Sequence, residues 1–482
     1  MVICIIAEGS YPYITGGVSA WIHQLIQGMP EVHFKILSLM PSFKENLEYR
    51  YRLPSNLIEI KTIYLDDYLK LNHKSINKKL NFNTDEAENL EKFLSMDKEC
   101  DWSQVIKLLR NKAKAGNSID FLQSTFFWDT VLKMYNERFA DEIFNTFFWT
   151  IRTMMLPFIN LFQGNIIEAD IYHAVSTGYA GILGVYMREL TGNPFLLTEH
   201  GIYAREREEE ILKAKWVTGV YKQLWIDFFY FISRAAYKNA DKIVSLFERN
   251  RNIQVQLGAE IEKTIVIPNG VDLERYNIVK KAHKGYNVGA ILRIVPIKDV
   301  MTMIRAFKIV KDIVKTSKLY LIGPMDEDKD YYNQCAELIK ILSLEESVIF
   351  TGRVDVKEYL KIIDVLVLTS ISEGQPLVIL EGMASEIPTV STDVGSCREL
   401  LEADENEGSC GIVTSLVSPK ETAEQIIKLL KDNVMKENMG YNGRRRVERK
   451  YSMEKFINSY ASIYKELEFN YGRNWIYSKK II

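Results

Sequence analysis

Val365-Leu366-Val367-Leu368-Thr369-Ser370-Ile371-Ser372-Glu373-Gly374-Gln375-Pro376-Leu377-Val378-Ile379-Leu380-Glu381 passes from an unbroken apolar run, through a polar glycine-containing loop, to a second apolar run opened by proline. A strand without period-two alternation is buried on both faces, as in a parallel sheet covered by helices. Proline suits the first turn of a helix, so a helix is expected to begin at Pro376. The segment reads strand, loop, helix, with Glu373 in the loop at the carboxyl edge of the sheet.

The same unit recurs along the chain. Apolar runs at residues 2–7, 32–39, 170–174, 195–198 and 242–245 form one series, and runs at 286–292, 318–322, 348–350, 365–369 and 389–391 form a second. Most are followed by apolar residues at helical spacing. Alternating strands and helices predict an α/β, doubly wound architecture, and two series predict two Rossmann-like domains. Ile267-Pro268-Asn269-Gly270-Val271-Asp272 is a turn-forming cluster at the junction, followed by the polar stretch 280–285.

Residues from about 60 to 168 break the alternation and read as a helical insertion. Within 121–162 there are 12 aromatic residues in 42 positions. Phe144, Phe147, Phe148, Ile151, Met155, Phe158 and Phe162 fall at helical spacing, which predicts a core-facing stripe. An exposed docking surface for a membrane or a partner protein is the competing reading.

Composition narrows the classes of function. The chain has 482 residues, 47% hydrophobic and 26% charged, and at about 150 residues per domain it holds two or three globular domains. Its 61 basic and 63 acidic residues leave a net charge of -2, so binding of nucleic acid along a basic surface is not expected. Five scattered cysteines without a C-x-x-C pair predict reduced thiols and a cytoplasmic protein. The start at Met1 has no basic segment before its short apolar run and reads as a buried strand. Residues 144–162 contain Asn145, Arg152, Pro157 and Asn160, too polar for a spanning helix of about 20 apolar residues.

Several groups are candidates for chemistry. Gly16 and Gly17 follow a strand and open a helix, where backbone can approach an anion closely, although a plain turn explains them equally well. Arg293 and Lys298 lie just after an apolar strand and together suit a diphosphate, the guanidinium as a planar fork and the amine as a point charge. Glu381 lies five residues beyond Pro376, roughly 7–8 Å along a helix. Two carboxylates so spaced can each accept hydrogen bonds from sugar diols, with the helix start between them facing phosphate. Glu381 has apolar neighbours, where an unpaired carboxylate is costly. His200 sits at another strand's carboxyl edge, within Thr198-Glu199-His200-Gly201. His173 reads as a buried strand-end residue. Asp326-Glu327-Asp328 reads as a solvated loop before a helix, and no metal site is expected.

Taken together, the Gly16-Gly17 loop, residues 267–272, Arg293 with Lys298, and the pair Glu373 and Glu381 resemble the retaining glycosyltransferases of the GT-B fold, glycosyltransferase family 4. More narrowly, Glu8-Gly9-Ser10-Tyr11-Pro12-Tyr13, residues 16–23, residues 370–381 and Val394-Gly395-Ser396-Cys397-Arg398-Glu399 are similar to the PelF-like glycosyltransferases of Pel-type exopolysaccharide synthesis. The resemblance implies two Rossmann-like domains facing a central cleft. These are an acceptor-side domain at residues 1–280 carrying the helical insertion and a nucleotide-sugar domain at 281–452; a helical segment at 453–482 then crosses back to the first domain. It implies a UDP-sugar donor and a polysaccharide acceptor, with membrane-bound synthase components as partners. The location would be cytoplasmic, at the inner face of the cell membrane. Arg293 and Lys298 would neutralise the diphosphate as the glycosidic bond breaks. Glu373 would hold the transferred sugar, Glu381 the ribose, and Gly16 and Gly17 phosphate, with His200 near the sugar. Arg353, Gly374, Gln375, Pro376 and Leu377 would complete the donor site. Attack from the leaving-group face would need neither a protein nucleophile nor a metal, and no cofactor beyond the donor. A catalytically idle assembly subunit and a GT-B sugar-nucleotide epimerase remain as alternatives. One departure is Ser385-Glu386-Ile387-Pro388 where the family has Ala-Gly-Ile-Pro. Glycine suits a left-handed helix end, and glutamate there costs about 1 kcal/mol.

Overall fold

The computed structural model describes residues 1–43, 47–67 and 79–478. It divides into two units, one of residues 1–266 with the chain from residue 460 onward, the other of residues 267–459.

The first unit is built on seven parallel strands, β1 (Val2–Glu8), β2 (His33–Met40), β3 (Leu57–Tyr64), β4 (Ile171–Ala174), β5 (Phe195–Glu199), β6 (Lys242–Ser245) and β7 (Thr264–Val266). Their order is β3-β2-β1-β4-β5-β6-β7. The central strands are almost wholly buried, Ile3, Ile5 and Ile6 of β1 having no exposed surface. The winding reverses between β1 and β4, and in open α/β sheets ligands bind beyond the carboxyl ends of strands at such a reversal.

The second unit repeats the plan with six parallel strands, β8 (Tyr286–Ile291), β9 (Ser317–Ile322), β10 (Val348–Gly352), β11 (Val365–Leu368), β12 (Thr389–Thr392) and β13 (Gly411–Thr414). Their order is β10-β9-β8-β11-β12-β13, with the reversal between β8 and β11. Val365 of β11 lies opposite Val288 of β8, so the loops that follow these two strands leave the sheet side by side.

The expected pattern misses β3, β7 and β13, and each is a sheet margin. β3 pairs with a neighbour on one side only and alternates apolar and charged residues from Ile58 to Lys61, as edge strands do. β7 has only three residues, and β13 reads Gly-Ile-Val-Thr with just two apolar residues, so neither registers as an apolar run. The expected helical insertion from residue 60 is therefore corrected, since residues 57–64 form β3 beside β2. Residues 68–78 of that stretch, and 479–482 of the expected terminal segment, lie outside the described residues.

Helices occupy most of the stretch between β3 and β4, from Thr84–Leu94 to Phe144–Phe162. Asn83 opens the first with a capping box to Glu86, and Asp101 and Ser124 cap later ones. Along Phe144–Phe162 the residues Phe147, Ile151, Met155, Phe158 and Phe162 are fully buried, whereas Trp149 on the opposite face is 51% exposed. Phe158 packs on Trp102, Tyr179 and Phe228 with ring centroids 5.4–6.2 Å apart. The stripe is core.

The last helix, Met453–Ser478, starts in the second unit and belongs to the first from Tyr460 onward. There the Tyr464 hydroxyl lies 2.7 Å from His173 Nδ1, and Thr198 Oγ1 lies 2.8 Å from His173 Nε2. His173 is wholly buried, and burial pushes its imidazole down to about 3. Glu386 takes the left-handed conformation at φ 57° despite its side chain, so the turn expected for glycine forms here with glutamate. No helix among the described residues is long and apolar enough to cross a membrane.

Candidate active site

Two loops at the reversal of the second sheet converge on one ion pair. After β8 the chain makes a short 3-10 turn at Pro296–Lys298, and Asp299, at φ 43°, caps the following helix Val300–Ile313. After β11 it runs through Thr369 and Ser370 to Glu373. The Thr369 hydroxyl donates to the carbonyls of Lys298 and Asp299 at 3.1 and 3.0 Å, and Ile371 N–H donates to the Ile297 carbonyl at 2.9 Å. These bonds bring Lys298 Nζ to 2.5 Å from Glu373 Oε1, while Ser370 Oγ donates to the same oxygen at 2.6 Å. The two charged side chains keep only 18% and 12% of their surface exposed.

A third loop supports the turn from below. Gly395, at φ 54°, lies so close to Glu373 and Gly374 that a Cβ would stand 2.3 Å and 2.1 Å from their carbonyl oxygens. Ser396 N–H donates to the Gly374 carbonyl at 3.0 Å. Pro376 is the N-cap of the helix Leu377–Ala384 rather than its first residue as expected, because its ψ of 112° is still extended, so the helix starts one position later. Leu377 opens the helix. Gln375 is buried, and its side-chain carbonyl accepts the Asn269 N–H at 2.6 Å. Glu381 accepts a hydrogen bond from the Tyr276 hydroxyl at 2.7 Å, and burial raises its carboxyl above the usual range.

The arginines stand apart from that pair. Arg293 donates from Nη1 to Glu327 Oε2 at 2.8 Å, and Arg353 from Nη2 to Asp326 Oδ1 at 3.3 Å. Both arginines are exposed. Asp328 caps the next helix by accepting the Tyr331 N–H at 2.9 Å. Each acid of the 326–328 cluster thus has a protein partner. Pro324, Tyr332, Gly352 and Arg353 line a cavity of about 460 Å³ beyond β9 and β10.

In the first unit, the helix Gly17–Gln27 starts without a side-chain cap, and a Cβ on Gly16 or Gly17 would meet nothing within 4 Å. Packing therefore does not demand these glycines. His200 follows β5, its ring edge-on to Trp21 at 4.8 Å between centroids. Its Nε2 is buried without a hydrogen-bond partner, and burial pushes the imidazole down to about 4. His200 is thus neutral at pH 7. The preceding Glu199 fixes the strand end. It is buried and accepts from Tyr237 Oη (2.6 Å), Gln254 Nε2 (3.0 Å), Thr177 Oγ1 (3.1 Å) and Tyr203 N–H (3.0 Å).

Ser370, Tyr276, Asn269 and Gly395 were not among the expected site residues. Ser370 carries a local signal, three positions before Glu373, whereas Tyr276 and Asn269 reach the site from about a hundred residues away. Glu8, at the end of β1, also escapes the expected set; it accepts the Tyr203 hydroxyl at 3.0 Å, and burial raises its carboxyl.

Residues 275–446 match the family described as "Glycosyl transferases group 1", and residues 1–262 match "Domain of unknown function (DUF3492)". An N-acetyl-alpha-D-glucosaminyl L-malate synthase of Bacillus anthracis is 34% identical over 170 residues, 35% of this chain. The chain spans only 42% of that relative's length. An uncharacterized glycosyltransferase of Methanocaldococcus jannaschii is 28% identical over 63% of this chain and 78% of its own. HepE of Anabaena, solved in complex with UDP, aligns over 97% of this chain and 100% of its own, with a TM-score of 0.62 at 15% identity. That likeness is one of fold, and the fold is GT-B. The chain belongs to the family matched over residues 1–262 and, with the group 1 domain that follows, is a glycosyltransferase of the GT-B type.

Proposed function

We propose that this chain is a retaining glycosyltransferase that moves a hexosyl or N-acetylhexosaminyl unit from a UDP-sugar to a growing exopolysaccharide. The reading is PelF-like, from the motifs around Glu8, Gly16 and Glu373, with a polysaccharide acceptor and membrane-bound synthase components as its setting. The observation that carries it is the sheltered Lys298–Glu373 pair with Ser370 at the reversal of the second sheet. A cation for phosphate and an acceptor for sugar hydroxyls stand there on rigid backbone, as electrostatic stabilisation of a departing diphosphate requires.

In this reading the donor diphosphate takes up Lys298 and draws Arg293 from Glu327, which frees Glu373 for the hydroxyls of the transferred sugar. Glu381 holds the ribose, Gly374, Gln375, Pro376 and Leu377 form the wall beneath, and Arg353 borders the base. Gly16 and Gly17 offer N–H groups to phosphate. His200, neutral, lies near the transferred sugar. The acceptor attacks from the face the diphosphate leaves, and a phosphate oxygen takes its proton, so the reaction is metal-independent. A UDP donor is supported by the UDP complex of HepE, and an N-acetylhexosaminyl unit by the name of the Bacillus anthracis relative.

The test is incubation of the purified chain with UDP-, GDP- and ADP-sugars, with and without oligosaccharide acceptor. Release of UDP, lost in Glu373→Ala, and a product with the donor's anomeric configuration are expected. No turnover of any donor, or equal turnover by Glu373→Ala, overturns the reading. A new nucleotide sugar in place of free UDP identifies an epimerase.

A further inference from the structure

The stretch that opens the second unit touches the donor segment at both its ends. Asn269 N–H donates to Gln375 Oε1 at 2.6 Å, and the Tyr276 hydroxyl donates to Glu381 Oε1 at 2.7 Å. The stretch is itself firmly held. Val271 N–H donates to the Tyr451 carbonyl at 2.8 Å, and Met453 N–H to the Val271 carbonyl at 3.0 Å. Asp272 Oδ1 accepts the N–H groups of Glu274 and Arg275 at 3.1 and 2.9 Å. A Cβ on Gly270 would stand 2.8 Å from Met453 Cα. Tyr276 is 7% exposed, and its carbonyl accepts from Ser385 Oγ at 3.3 Å. The phenol therefore reaches Glu381 from rigid backbone.

We propose that Tyr276 is a positioning residue for the donor: its hydroxyl fixes the Glu381 carboxylate so that the remaining lone pairs are presented to the ribose hydroxyls. This rests on the reading of Glu381 as the ribose carboxylate. A carboxylate offers about four acceptor sites, and one strong hydrogen bond orients it without using it up. A carboxylate free to rotate must be ordered when the nucleotide binds, which costs affinity.

Calorimetric titration of the full chain with UDP and with 2′,3′-dideoxy-UDP tests this, in the wild type, Tyr276→Phe and Glu381→Gln. Tyr276→Phe keeps the buried ring and removes only the hydroxyl. Its Kd for UDP is expected to rise about tenfold, while its Kd for the dideoxy nucleotide stays at the wild-type value. Equal UDP affinity in Tyr276→Phe and wild type overturns the proposal, as does equal weakening for both nucleotides, which marks a merely structural role. A wild type that binds neither nucleotide overturns the donor reading itself. One that binds both equally, with Glu381→Gln unchanged, removes Glu381 from the ribose and Tyr276 with it.

Discussion

Lys298 and Glu373 are 75 residues apart in sequence and 2.5 Å apart in space, because β8 and β11 are neighbours at the reversal of their sheet. Their charges are largely sheltered, so removing one leaves the other uncompensated. Lys298→Met and Glu373→Gln are each expected to destabilise the second unit, and the double variant by less than their sum. The coupling expected is about 1–2 kcal/mol, read from urea unfolding. Turnover of the donor should fall about a hundredfold or more in Lys298→Met, measured as nucleotide release. Additive stabilities would show that the pair is not coupled.

Gly395 and Gly17 make opposite predictions from one kind of change. A Cβ at Gly395 runs into the backbone of Glu373 and Gly374 at positive φ, which cannot be relieved by turning a side chain. Gly395→Ala should cost more than about 1 kcal/mol and displace Glu373, so stability and turnover fall together. At Gly17 the added methyl meets open space in a helix. Gly17→Ala should hold or raise the unfolding free energy, by up to about 1 kcal/mol of helix propensity, while weakening donor affinity through its bulk. A Gly17→Ala variant with unchanged affinity would exclude a close approach of phosphate there.

How far the fold was legible follows burial. β11 and β8 are central strands and read as apolar runs, whereas β3, β7 and β13 border their sheets and carry alternating or very short patterns. The loop and helix from Glu373 to Glu381 were legible because proline and apolar spacing act locally. What joins Lys298 to Glu373, and Tyr276 to Glu381, is strand order and a turn held by Tyr451, and no local pattern encodes either. Arg293 was expected to serve a diphosphate together with Lys298; in the structure its guanidinium pairs with Glu327 on the loop after β9, a partner that no local pattern announces.

Acid should act on the first unit through its buried histidines, His173 and also His200. Unfolded, the His200 imidazole titrates near 6.5; folded, it stays neutral down to about 4. Between these values the unfolded chain binds the extra proton, so stability is full above pH 6.5 and declines as pH falls. The raised carboxyls of Glu8, Glu199 and Glu206 work in the opposite sense, so His200 is isolated by difference. Relative to His200→Gln, the wild type should lose up to about 2 kcal/mol of unfolding free energy between pH 7 and pH 5. A difference independent of pH would place the imidazole in water.

The aromatic stripe separates core from surface within a single helix. Phe158 has no exposed surface and packs on Trp102, Tyr179 and Phe228, so Phe158→Ala should cost about 3–5 kcal/mol by losing burial and leaving a cavity. Trp149, nine residues earlier, is half exposed and has the Arg152 guanidinium over its ring at 5.0 Å. An exposed contact of that kind is worth about 0.5–1 kcal/mol, and Trp149→Ala should cost no more. Urea unfolding of the two variants against the wild type checks both numbers. A large loss at Trp149 with little at Phe158 would reverse the assignment of faces and make the buried stripe the accessible one.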